Sequence, residues 1–278
     1  MDQGYFVLRN HVKIPKIGFG TAPLKGEEAY QAVKTALDVG YRHIDTAQIY
    51  LNEEDVGRAI QDANLPRETL FITSKLDASI KSYDSALEAF EETLKRLGLD
   101  YLDLYLIHAP WPWDDKYGNY DQGNVQAYKA LEKLYNEGKV RAIGVSNFSV
   151  HDLENIKKNC EILPHVNQIK YHIGHPQEET VNYCKNHDIL VEAYSPLGRA
   201  KVLNHPKLLE IAAKYAVSTA QLCVRYPLEN GVLPLPRSSK RDHIINNKEV
   251  NFTLSSEDRS ILDNLRIESI EFGTPRKK

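Results

Sequence analysis

What most constrains this chain is an alternation. From residue 17 onward, a short apolar segment is followed by a stretch with helical hydrophobic spacing, and the pair recurs eight times. The apolar segments cover residues 17–19, 41–44, 70–73, 101–107, 141–145, 165–169, 189–193 and 231–235. Between and after them, residues 27–39, 53–63, 85–97, 125–136, 150–158, 178–186, 206–215 with 218–228, and 240–247 read as helices. Gly40, Gly98 and Gly138 end three of these, as a left-handed C-terminal residue should. Short apolar strands separated by helices pair in parallel through right-handed crossovers. Eight such units predict a closed (β/α)8 TIM barrel, for which roughly 250 residues are needed. An open doubly wound sheet is the other topology these elements allow. Its Gly-x-Gly-x-x-Gly turn does not follow the first strand.

Two pieces lie outside the repeat. Residues 5–8 and 12–14 form an N-terminal β-hairpin, with Asn10 suited to the turn. Residues 255–265 form an extra C-terminal helix, capped at its Ser255 end. The expectation is one barrel domain over residues 1–278. Hydrophobic residues at 42% and charged residues at 26% fit an ordinary enzyme, and a net charge of −3 demands no basic face for nucleic acid. Arg276, Lys277 and Lys278 read as a solvated tail. Cys160, Cys184 and Cys223 are odd in number and widely spaced, which suits free thiols rather than disulfides or a metal site. With no signal peptide and no membrane-length apolar run, a cytoplasmic protein is expected.

In a barrel, the residues just past each strand converge on one mouth. They are Asp45 and Tyr50 after the second strand, Lys75 after the third and His108 after the fourth. Each has a bland reading alone: a turn aspartate, a solvated lysine, a loop histidine. Together they form a titratable cluster of the kind that marks an active site. A tyrosine with a pKa near 10 is a poor proton donor until a cation lies against it, and a carboxylate keeps that cation in place. The set suits protonating an oxygen on which charge is building, as when C=O becomes an alcohol. Hydride must then come from a nicotinamide or a flavin. Ser146, Asn147 and Gln168 could hold a carboxamide and Tyr194 could stack on it. Residues 195–198 and Arg237-Ser238 lie where phosphates would sit.

The residues also follow a known pattern. GFGT (18–21), GYRHIDTAQIYLNEEDVGRAI (40–60), ITSK (72–75), LIHAP (106–110), GKVRAIGVSNF (138–148), NQI (167–169), EAYSPLG (192–198) and LPRS (235–238) stand in the order of the aldo-keto reductases. The chain resembles that family along nearly its whole length. In its prokaryotic branch it is similar to the 2,5-diketo-D-gluconate reductases. The resemblance implies a monomeric NADPH-dependent carbonyl reductase with Tyr50 as general acid and Asp45, Lys75 and His108 around it. It also implies cofactor contacts at Gly20, Thr21, Asp45, Ser146, Asn147, Gln168, Tyr194, Ser195, Leu197, Arg237, Ser238, His243 and Asn247. The substrate would be a small aldehyde, ketone or dicarbonyl held near Ala22, Asp77, His108, Ala109 and Trp111. The same fold also houses cofactor-binding proteins with a regulatory or structural role, which is the alternative to an enzyme.

Two departures stand out. His243 replaces the arginine that usually grips the 2′-phosphate of NADPH, so appreciable NADH use is expected, with Arg237 retained and Lys240 or Arg241 available to compensate. Ala22, Asp77 and Ala109 replace tryptophans at the substrate mouth. That widens the mouth and makes Asp77 a deterrent to anions, with Trp111, Trp113 and Tyr117 on the loop 108–123 available to refill it.

Overall fold

The computed structural model describes residues 4–267, so Arg276, Lys277 and Lys278 lie outside the described residues. Strands β1 (Tyr5–Val7) and β2 (Lys13–Pro15) pair antiparallel. Strands β3 (Phe19–Gly20), β4 (His43–Asp45), β5 (Phe71–Leu76), β6 (Leu102–Ile107), β7 (Val140–Ser146), β8 (Val166–Lys170), β9 (Leu190–Tyr194) and β10 (Leu233–Leu235) form one sheet of eight in sequential order. Every neighbouring pair in it is parallel, as short strands joined by helices require.

The sheet closes on itself. Gly18 N–H donates to Pro234 O at 3.1 Å and Gly20 N–H to Pro236 O at 3.0 Å, joining β3 to β10. Pro234 and Pro236 have no N–H to return, so this seam carries bonds in one direction only. Gly18 is required there: a Cβ would lie 2.5 Å from Leu235 Cδ2 and 2.6 Å from His43 Nδ1. The barrel expectation holds, and the open doubly wound sheet is excluded.

Outside the barrel run α1 (Gly26–Asp38), α2 (Glu53–Asp62), α3 (Tyr83–Leu97), α4 (Asp121–Asn136), α5 (Val150–Asn159), α6 (Glu178–Asn186), α7 (Pro206–Lys214), α8 (Thr219–Glu229), α9 (Arg241–Lys248) and α10 (Ser256–Asn264). Their buried faces pack on the outward strand positions, such as Ile72, Tyr105 and Ile107, in one large apolar cluster. The inward positions alternate with these. Phe71, Leu104, Leu106, Ala142, Val166, Leu233 and Leu235 fill the lower barrel, and Leu8 and Ile14 of the hairpin close it from below. Above that apolar plug the same inward register turns polar: Asp45, Lys75, Ser146, Gln168 and Glu192 are all buried. The strands thus point their last inward side chains at the mouth.

Two local expectations shift. The left-handed hairpin residue is His11 (φ 65), not Asn10. Asn10 instead ties the hairpin to β7, its Nδ2 donating to Arg141 O at 2.9 Å. Helix α4 begins at Asp121 rather than 125, shortening the loop before it. Ser255 does cap the last helix, accepting from Asp258 N–H at 3.0 Å. Among the described residues, no helix is long and apolar enough to cross a membrane.

Candidate active site

Asp45 ends β4, and the chain then makes a single 3-10 turn (Gln48–Tyr50) that swings Tyr50 back over the mouth. Lys75, on β5, reaches up from below and is fully buried. Its Nζ donates to Asp45 Oδ1 at 2.7 Å, to Thr46 O at 2.9 Å and to Tyr50 Oη at 3.5 Å. His108 follows β6 directly, with Nε2 3.5 Å from Tyr50 Oη. The four groups expected to meet do meet.

Their electrostatics follow from burial. For Lys75, burial alone favours the neutral amine, but Asp45, Tyr50 and Glu192 outweigh it and the pKa is raised. Burial raises Tyr50, and Asp45 adds to that; Lys75 pulls in the opposite direction without cancelling it. The phenol therefore keeps its proton at neutral pH. Burial and then the Lys75 charge hold His108 well below the usual histidine range, so its imidazole is neutral. Trp113 meets the His108 ring edge-on at 5.3 Å and Trp111 meets Trp113 at 5.2 Å, walling this end with aromatics.

Next to this cluster the ends of β7, β8 and β9 build a polar plate. Ser146 Oγ donates to Gln168 O at 2.8 Å. Asn147, held in the left-handed region (φ 61), donates from Nδ2 to His108 O at 3.0 Å. Tyr194 Oη donates to Asn147 Oδ1 at 2.7 Å, which holds the ring at the cavity wall. Asparagine tolerates the left-handed turn that lifts the chain off β7, and Ser195 (φ 53) makes the same turn off β9.

A cavity of about 1140 Å³ runs from Tyr50 to α9. Its wall includes Gly20, Ala22, Asp45, Tyr50, His108, Trp111, Ser146, Asn147, Gln168, Tyr194, Ser195, Leu197, Arg237, Ser238, His243 and Asn247. Four expected residues do not reach the wall. Lys75 lies beneath Asp45 and Tyr50 and acts on the cavity through them. Thr21 is buried, with Oγ1 donating to Asp45 O at 3.0 Å. Asp77 is turned away, its Oδ1 accepting from Ser79 N–H at 2.8 Å and Ser79 Oγ at 2.7 Å. Ala109 is buried and offers only its carbonyl, to Lys81 Nζ at 2.9 Å.

Asp77 thus puts no negative charge into the cavity, and the charged side chains the sequence reading left aside there are cations: Lys116, Lys170 and Arg199. Of the aromatics expected to refill the mouth, Trp111 and Trp113 do so, while Tyr117 is fully exposed. At the far end His243 and Arg237 are on the wall; Lys240 and Arg241 are exposed and not on it. Ser218, Ala220, Leu203 and Asn246 also line the cavity and were not expected. Nothing local in the sequence marks them. Lys170, by contrast, sits two residues past Gln168 and follows from its inward register.

The arrangement fits a dinucleotide. One end offers amide groups beside a planar ring, and the other offers Arg237 and Ser238 just ahead of the N-terminus of α9. Comparison with known proteins agrees. The family model for the aldo/keto reductase family matches residues 16–267. The glyoxal reductase of Bacillus subtilis is 47% identical over 260 residues, covering 93% of this chain and 91% of that protein. The structure of an aldo-keto reductase from a Medee basin deep-sea metagenome library superposes with a TM-score of 0.90 at 41% identity, covering 97% of each chain. A Bombyx mori aldo-keto reductase in complex with NADP superposes at 0.86 with 33% identity, covering 95% of this chain and 92% of that one. The chain belongs to the aldo/keto reductase family of oxidoreductases.

Proposed function

We propose that this chain is an NADP(H)-dependent carbonyl reductase acting on small aldehydes, ketones or dicarbonyls, working as a monomer, with Tyr50 as general acid. The observation that carries this is the buried chain Asp45–Lys75–Tyr50–His108 at one end of a cavity whose other end is cationic. When bound, the nicotinamide supplies the hydride. Ser146, Asn147 and Gln168 would hold its carboxamide and Tyr194 would support its ring. The carbonyl oxygen sits between Tyr50 Oη and His108 Nε2. As charge builds on it, Tyr50 transfers its proton, and the nearby Lys75 ammonium stabilises the phenolate left behind. Asp45 keeps that ammonium charged and in place. Trp111 and Trp113 keep water away from the reacting carbon.

Replacing Tyr50 by Phe is expected to lower kcat by about a hundredfold or more while leaving the NADPH Kd within about threefold. Unchanged turnover would sink the assignment. At the adenosine end, Arg237 remains and His243 cannot fork onto a phosphate, so NADPH is preferred only modestly and NADH is used. Losing one charge-assisted pair costs about 1.5–3 kcal/mol. The kcat/KM ratio for NADPH over NADH is expected below about a few hundred; a larger ratio would show that His243 is not the weak point.

A further inference from the structure

Beside Gln168 lies a carboxyl group that the reaction described above does not use. Glu192 on β9 pairs in register with Gln168 on β8, so both side chains enter the barrel at one level, and Glu192 is fully buried. The Gln168 amide nitrogen donates to Asp45 Oδ2 at 2.8 Å and to Glu192 Oε2 at 2.9 Å. An amide has two N–H donors, and here both go to carboxyl groups on the barrel axis. The amide oxygen is thereby left facing the cavity that Gln168 lines. Reversed, that oxygen would confront the Asp45 carboxylate and leave it without the Gln168 donor.

We propose that Glu192 is a positioning residue that fixes the Gln168 amide with its oxygen toward the nicotinamide carboxamide, and whose protonation sets the charge beneath the nicotinamide ring. This rests on the reading of the cavity as a dinucleotide site. The groups facing Glu192 are Asp45 and His43 from β4, Lys75 from β5, and Gln168; Tyr194 lies two residues along its own strand. Asp45 and Lys75 already form a pair at 2.7 Å. An ionised Glu192 would be a further buried carboxylate answered by the same ammonium. His43 does not help: burial, then Lys75, push it down to about 3, so it stays neutral although its Nε2 is 3.9 Å from Glu192 Oε1. Glu192 Oε1 has no hydrogen-bond partner to favour the anion. Burial first and Asp45 second push the carboxyl up to about 8. It is a neutral acid at neutral pH and ionises in mildly alkaline solution.

The test is to titrate the protein with NADP+ and with NADPH by fluorescence, from about pH 6.5 to about pH 9.5, for the wild type, Glu192→Gln and Glu192→Leu. The oxidised ring is cationic and the reduced ring neutral, so only the former responds to the new charge. In the wild type, the NADP+ Kd is expected to fall relative to that of NADPH by about tenfold as pH passes through the Glu192 range. Glu192→Gln keeps an acceptor without a charge. It should match the wild type at the acidic end and show a flat ratio throughout. Glu192→Leu, with no acceptor, should weaken both nucleotides about tenfold at every pH. A flat wild-type ratio, or the wild-type slope retained in Glu192→Gln, overturns the charge role. Wild-type affinities in a folded Glu192→Leu overturn the positioning role, and if that variant does not fold, Glu192→Met, which also lacks an acceptor, is read in its place by the same criterion. Failure of the wild type to bind either nucleotide would instead overturn the dinucleotide reading.

Discussion

Lys75 carries two burdens at once. It is fully buried, and its ammonium is answered by Asp45 at 2.7 Å. A buried pair of this kind adds little net stability, but removing one partner strands the other charge away from water. Lys75→Met is therefore expected to lower unfolding free energy by about 3 kcal/mol as well as abolishing turnover, both read from denaturant titration and steady-state assays. Loss of activity with unchanged stability would mean that Asp45 finds another partner or a proton. At this scale much of the site is legible in the sequence, because each proposed tetrad residue stands within a few positions of a strand end, where barrel geometry sends it to the mouth. Asp77 shows the limit. It also follows a strand, but its carboxylate is taken by the Ser79 turn, a local bond that spacing does not reveal. Glu192 is a different case: two residues before Tyr194, it shares that residue's inward register, but it lies short of the strand end where mouth residues are sought.

The strands are where the sequence reading and the structure differ in length. Strand β5 runs on to Leu76 and β7 to Ser146, beyond the apolar runs that announced them. Of the extra residues, Lys75 and Ser146 are polar, buried and inward, since this is where the barrel lining changes from core to site, while Ser74 faces outward and donates to Glu53 Oε1 at 2.6 Å. An apolar pattern must undershoot there, so strand ends are underestimated on the side that carries the chemistry. Helix α4 was shortened for a related reason: its first turn, Asp121 to Asn124, is polar and offers no apolar periodicity. The seam element β3 gives a direct prediction. Gly18→Ala would push a methyl group into Leu235 and the His43 ring and is expected to cost about 2–3 kcal/mol, measured as a lower midpoint in chemical unfolding. An unchanged midpoint would mean that β3 shifts without loss.

Across the whole molecule, buried titratable groups set how stability responds to pH. Burial is the first cause in each case. It holds His43 at about 3 and His165 and His175 at about 4, against an ordinary 6.5. Their folded values lie below the unfolded ones, so the stability they contribute is present above 6.5 and lost as pH falls toward 4. Glu192 runs the other way. Its folded value of about 8 lies above the ordinary 4.5, so its contribution is present below 4.5 and lost as pH rises through 8. The melting temperature is expected to climb from about pH 4 to about pH 6.5 and then decline gently to about pH 8, with the decline missing in Glu192→Gln. A profile flat from acid to neutral would contradict the histidine assignment.

The joint between β3 and β10 has a further consequence, for the order in which the molecule is assembled. Seven of the strand pairings are regular parallel ladders between neighbours in sequence, each formed by an adjacent strand–helix unit. The remaining contact unites the two ends of the chain, the entropically costliest to bring together, and Pro234 and Pro236 leave it with donors from β3 alone. A curved sheet can therefore grow along the chain and stay open until the last strand arrives. Closure of the ring is thus expected to come last in folding and to be the first pairing lost, which amide hydrogen exchange would show as weaker protection at Gly18 and Gly20 than in the other strands.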